Sequence, residues 1–96
     1  MYVTVNTIKV PGPAAAKMLE AFRKSAPDMK QFKGFVGFEL WQQEDGTILA
    51  IAKWESKEAF EEYPRSEMFR QHHAGVSNHD LQAGAQMAHY TGEVVV

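Results

Sequence analysis

Asn6 is the first residue in this chain whose chemistry needs a reason. It stands inside YVTVNTIKV, residues 2–10, a β-branched run that reads as a strand. An amide side chain there competes with the backbone for hydrogen bonds. Period-two alternation puts it on one face with Tyr2, Thr4, Ile8 and Val10, so two roles stay open. It is either an edge residue bonded to backbone or solvent, or a donor aimed into the space beneath the helices. His72 and His73 form a second centre, at the end of a helical stretch and four residues after Met68 and Phe69 respectively. Phe69 is the core-facing one, which directs His73 inward and His72 toward the rim. An imidazole in a last turn either complements the helix dipole and its free carbonyls or serves as a metal ligand, and spacing does not choose between them. A zinc or mononuclear iron site from His72, His73, His79, Asp80 or His89 is disfavoured, because adjacent helical side chains diverge by about 100° and no two-histidine, one-carboxylate spacing occurs. Tyr63, Trp41 and Trp54 are amphipathic aromatics of the kind that fill cores and interfaces.

The chain that must position these groups has 96 residues, 45% hydrophobic and 23% charged, which fits a single domain over residues 1–96. No apolar run approaches the roughly 20 residues of a membrane span, and no signal-peptide pattern opens the chain, so a cytoplasmic protein is expected. Without cysteine there is no thiolate ligand or nucleophile, leaving nitrogen and oxygen groups for any chemistry. Ten Lys+Arg against twelve Asp+Glu give a net charge of −2, which disfavours nucleic acid as a partner. Lys33-Gly34-Phe35 begins like the aromatic RNA-recognition signature, but the pattern is then lost and falls on the second strand instead of the third.

The first strand runs into Pro11-Gly12-Pro13, a sharp break with Pro13 suited to a helix's first turn. Ala15, Met18, Leu19, Phe22 and Ala26 then recur at helical spacing, predicting an amphipathic helix over about 13–26 that stops before Pro27. Residues 34–42 and 47–54 read as antiparallel strands joined at Asp45-Gly46, whose types favour positive φ. Ser56 is a candidate N-cap for a helix through Tyr63, Pro64 interrupts it, and Ser66 caps a second segment running to Gly75. A polar loop with Ser77, Asn78, Asp80 and Gly84 precedes a last strand over 85–95. The order is β-α-β-β-α-β, an α+β, ferredoxin-like arrangement with one antiparallel four-stranded sheet and both helices on one face. Val36, Phe38 and Leu40 alternate with Phe35 and Trp41, and Ile48 and Ala50 with Leu49 and Ile51, so both sheet faces look apolar. Two helices cover only one, which predicts a homodimer with the open faces packed together.

NTIKV, KGFVGFEL and AKWESKEAFEEYPRSEMFRQHHAG together resemble the antibiotic-biosynthesis-monooxygenase superfamily, and within it the IsdG-type heme-degrading monooxygenases. The resemblance covers nearly the whole chain and is most specific at Trp54, Phe60, Tyr63, Ser66, Phe69 and His73. It implies a dimeric α+β barrel holding heme between helices and sheet, with His73 ligating the heme iron and Asn6 hydrogen-bonding beside the distal face. Tyr63, Phe22 and Phe69 would line the pocket, and Tyr63 stands where these enzymes usually carry tryptophan, whose bulk distorts the porphyrin. Catalysis is then expected from Asn6, Tyr63 and His73, with heme as both substrate and cofactor, O2, and an external electron donor, either a reductase or a small-molecule reductant. The products would be iron and an open-chain tetrapyrrole. Two other activities fit the resemblance. One is a cofactor-free monooxygenase of an aromatic polyketide or quinol, in which Asn6, Tyr63 and Trp54 bind a phenolic substrate and His73 acts as base. The other is a non-catalytic dimer that carries heme or another planar ligand.

Overall fold

A computed structural model of the chain describes residues 1–72 and 85–96. The elements are β1 (Tyr2–Ile8), α1 (Gly12–Ser25), a 3-10 segment (Ala26–Gln31), β2 (Phe35–Gln42), β3 (Ile48–Trp54), α2 (Lys57–Glu61), α3 (Glu67–His72) and β4 (Ala85–Thr91). The four strands form one antiparallel sheet in the order β2-β3-β1-β4, the expected ferredoxin-like topology. The course of the chain to Gly75 and the polar loop with Ser77, Asn78, Asp80 and Gly84 lie outside the described residues.

Alternation works cleanly on β1 and β3. Tyr2, Thr4 and Ile8, with Ile48, Ala50, Ala52 and Trp54, are buried on the helix side. On α1 the predicted stripe is realised: Ala15, Met18, Leu19 and Phe22 pack on Ile8 and Ile48, together with Val10 and Leu40. A second cluster gathers Tyr2, Met29, Ala52 and Trp54 with Phe32, Phe35, Phe60 and Tyr63. The helix stops before Pro27, at Ser25, as expected, and a 3-10 segment not expected from the sequence follows through that residue. Proline there occupies the first helical positions, where its missing N–H is not needed, and the segment brings Met29 into the core.

β2 departs from simple alternation. A bulge between Phe35 and Gly37 resets the phase, so Phe35 joins Phe38 and Leu40 on the helix side while Val36 is left exposed. The open face still carries Val3, Val5, Leu49 and Ile51, flanked by Trp41 and Tyr90, which are 59% and 55% exposed. It is not wholly apolar: Glu39 accepts from Lys53 Nζ at 2.6 Å and from Trp41 Nε1 at 2.9 Å. The Lys53 hydrogen bond, followed by that from Trp41, holds the Glu39 carboxyl below its ordinary pKa.

Two glycines are required by backbone geometry. Gly46, at φ +96°, closes the β2–β3 hairpin, where Gln43 N–H donates to Thr47 O and Gly46 N–H to Gln43 O. Among the described residues no non-glycine has positive φ, so only Gly46 of the Asp45-Gly46 pair supplies it, and Asp45 contributes by accepting from Thr47 N–H at 2.9 Å. Gly34, at φ +87°, lies where a Cβ would come 2.5 Å from Ala59 Cβ. That close approach seats α2 against the start of β2.

Candidate functional site

The two clusters touch where Phe22 meets Phe38, with ring centroids 5.7 Å apart, over the β2 side of the sheet. On β1 and β3 they are separated by small and polar residues. The cross-strand rows there read Leu40–Ala50–Asn6–Met87 and Phe38–Ala52–Thr4–His89. β1 is paired on both sides, so Asn6 is not an edge residue. Its side chain is half-buried on the helix side, and among the described residues it makes no hydrogen bond. Beside it Met87 is 55% exposed, and His89 on the same strand is exposed as well. On the helix side, β3 and most of β1 are buried, Asn6 is half-buried, and β4 is exposed at Met87 and His89.

The predicted aromatics flank this strip. Ser56 caps α2 by accepting from Ala59 N–H at 3.1 Å, and the helix ends at Glu61, short of the expected Tyr63, with Tyr63 N–H donating to Phe60 O. Ser66 then joins the two helices: its hydroxyl donates to Tyr63 O at 2.6 Å and accepts from Phe69 N–H at 3.1 Å. Tyr63 and Phe69 are thereby stacked edge to face at 5.1 Å, and Tyr63 also meets Phe32 and Trp54 at 5.4 and 6.2 Å. Burial pushes the Tyr63 hydroxyl up to about 12. Trp54 is fully buried and its Nε1–H has no hydrogen-bond partner among the described residues. It supports Tyr63 from behind and is shut off from any ligand, contrary to its expected place in a phenol-binding set. Phe22 belongs to the opposite cluster, on α1. Asn6, Tyr63, Phe69 and Phe22 are therefore all on the helix side of the sheet. His73 lies outside the described residues, immediately after α3.

Phe22 also lines a separate concavity of about 430 Å³ at the outer edge of β2, with Arg23, Lys30, Phe35, Val36 and Phe38. It lies two strands from Asn6, roughly 10 Å at ordinary strand spacing, and contains none of the other predicted site residues. Of the cations near α3, Arg70 pairs with Glu67 at 3.6 Å. No group of three metal-ligating side chains occurs among the described residues, and none of their helices is long and apolar enough to cross a membrane. Sequence reasoning missed one juxtaposition, between Tyr2 and His89, whose side chains are hydrogen bonded at 2.9 Å. Period-two alternation on two strands puts each on the helix side, but only the β1–β4 register joins them.

A split β-α-β fold with an unpaired amide on an inner strand and an aromatic-lined helix side defines the class; the family follows from comparison. Residues 1–75 match the family model described as antibiotic biosynthesis monooxygenase, and the chain belongs to that family. Membership makes it an oxidoreductase of the monooxygenase type. A heme-degrading monooxygenase of Listeria welshimeri is 33% identical over 84 residues, covering 76% of this chain and 69% of the relative. A staphylobilin-producing heme oxygenase of Staphylococcus epidermidis is 34% identical over 79 residues, covering 76% and 73%. Among solved structures, the heme-degrader MhuD of Mycobacterium tuberculosis, with two hemes bound in its active site, superposes with a TM-score of 0.73 at 28% identity. That alignment covers 100% of this chain and 97% of MhuD. SnoaB, a cofactor-independent oxygenase of Streptomyces nogalater, gives 0.75 at 25% identity over 99% and 95%.

Proposed function

We propose that this protein is a heme-degrading monooxygenase that opens the porphyrin with O2 and electrons from an external donor, releasing iron. The observation that carries this reading is the Asn6 amide, half-buried on an inner strand, without a hydrogen bond among the described residues and on the helix side beside the exposed Met87 of β4. An amide kept at that position is suited to an acceptor that arrives with a ligand. The relatives named as heme degraders add independent support.

Bound heme would supply the ring to be oxidised and the iron at which oxygen is reduced. The chain's own residues would do the rest. His73, which follows α3 in sequence, would hold the iron through a neutral imidazole. Asn6 would donate from the sheet to an acceptor on the bound ligand and so orient it. Tyr63 and Phe69 on one side and Phe22 on the other provide apolar walls that exclude water. Tyr63 is smaller than the tryptophan of the resemblance and is itself packed against Phe32 and Trp54. The functional unit in this reading is a cytoplasmic homodimer joined through the open sheet face, where Val3, Val5, Leu49, Ile51 and Trp41 gather. Its electron donor is a reductase or a small-molecule reductant.

Titration with ferric heme, followed by ascorbate in air, tests the reading. A Soret band that forms and then decays with release of iron is expected, and His73→Ala should lose both. A stable Soret band under reductant would leave a heme carrier. No heme binding, together with oxygen uptake on an aromatic quinol, would favour the cofactor-free reaction, which the likeness to SnoaB supports.

A further inference from the structure

Tyr2 and His89 are 87 residues apart in the chain, and the Tyr2 hydroxyl lies 2.9 Å from His89 Nδ1. Tyr2 is buried, 8% exposed, whereas His89 is exposed on the edge strand. Phe60 of α2 packs on both rings, at 5.4 Å from Tyr2 and 5.6 Å from His89. The imidazole is thus held from below by a hydroxyl and from the side by a ring. Nδ1 points inward, and among the described residues Nε2 has no partner.

This arrangement has a direction. A phenol O–H that donates to Nδ1 leaves the proton of the neutral ring on Nε2, which then faces outward as a donor. His89 pairs with Thr4, and Asn6 with Met87, so His89 and Asn6 are diagonal neighbours on one sheet face. Such neighbours are about 7–8 Å apart. A flat ligand lying along the strip spans that distance.

We propose that His89, oriented by Tyr2, is a second binding residue of the Asn6 site, donating its Nε2–H to an acceptor oxygen on a flat ligand. The inference rests on the Asn6 site being the ligand site. The shared chemistry is an anionic or carbonyl oxygen: a propionate if the ligand is heme, a phenolate or carbonyl if it is a quinol. A purely structural bond that ties β4 to β1 would use Nδ1 alone, and the two roles separate by substitution. In His89→Asn the shorter amide can still accept from Tyr2 but has nothing at the Nε2 position. In His89→Gln an amide N–H reaches the Nε2 position.

Nitrogen NMR of the ligand-free native protein should show neutral His89 protonated on Nε2, and Tyr2→Phe should weaken that preference toward the tautomer ratio of a free imidazole. Heme affinity should fall about ten-fold in His89→Asn, the loss of one charge-assisted hydrogen bond, with unfolding unchanged, and His89→Gln should restore it. Heme dimethyl ester, whose ester carbonyls are weaker acceptors than charged propionates, should lose less affinity than heme does in His89→Asn. Unaltered heme affinity in His89→Asn, or protonation on Nδ1 in the native protein, would overturn the proposal. Should heme fail to bind the native protein, the proposed function falls separately, and the same variants are titrated with naphthohydroquinone. A ten-fold loss in His89→Asn then supports the assignment, and no loss or no binding overturns it.

Discussion

Replacing Asn6 by valine should make the protein more stable and less able to bind its ligand. The side chain is half-buried on a strand paired on both sides and makes no hydrogen bond among the described residues. Full burial of an unpartnered amide costs about 1–3 kcal/mol by mutational measures, and Asn6 keeps part of its hydration, so roughly 1 kcal/mol is recoverable. Valine also suits an inner strand better than asparagine, on a scale that spans about 1 kcal/mol. Together these give a gain of about 1–2 kcal/mol. Urea unfolding at one fixed protein concentration measures it, since self-association would add a concentration-dependent contribution. With a slope of about 2 kcal/mol per molar, the midpoint should rise by roughly 0.5–1 M without a change in slope. The same variant should bind heme about ten-fold more weakly, the equivalent of one hydrogen bond of about 1.4 kcal/mol. A variant destabilised by about 1 kcal/mol or more would mean that the amide holds the fold together, and the reasoning from its missing partner would fail. A stabilised variant with native affinity would remove Asn6 from the binding site.

Other outcomes follow from the same geometry. Gly34→Ala forces a Cβ to within 2.5 Å of Ala59 Cβ at φ +87°, and should cost about 2–5 kcal/mol in urea unfolding from strain and overpacking together. Alkaline spectrophotometric titration should show one tyrosine ionising near 12, and Tyr63→Phe should delete that late component. Because the folded value is raised above the unfolded one near 10, the stability that the neutral Tyr63 contributes is whole below pH 10. It is lost as the pH rises toward 12. Ser66→Ala removes the cap on α3 and the link to Tyr63 O, and should cost about 1 kcal/mol of stability while weakening ligand affinity through α3. Tyr63→Trp, if it strengthens heme distortion, should shift the Soret maximum of the complex; an unchanged spectrum would separate this position from the ring.

Much of this architecture is local and therefore legible in sequence. The serine caps, the proline break and the β-branched strands each rest on interactions within a few residues, and the elements stand close to where those signals place them. Val36 and Phe35 show where that reasoning stops. A bulge is one extra residue in the pairing of two strands, and neither strand alone records it. The 3-10 continuation through Pro27 was hidden for a related reason, since proline ends an α-helix but is well suited to begin a new turn. Asn6 was legible as an anomaly, yet its meaning depended on strand order, because only the pairing of β1 on both sides removes the edge explanation. Tyr2 and His89 needed the register between the two most distant strands.

That distant pairing also sets when the site can exist. Of the four described strands, β1 is synthesised first and its neighbour β4 last, so until residues 85–91 have joined the sheet β1 is itself an edge of it. A growing chain with β1 and β3 already paired presents the backbone of Tyr2 through Ile8, rich in β-branched residues, to any other strand it meets. Closure by β4 both completes the floor beside Asn6 and removes that edge. The step that builds the binding face is therefore also the step that protects the newly made protein from aggregation.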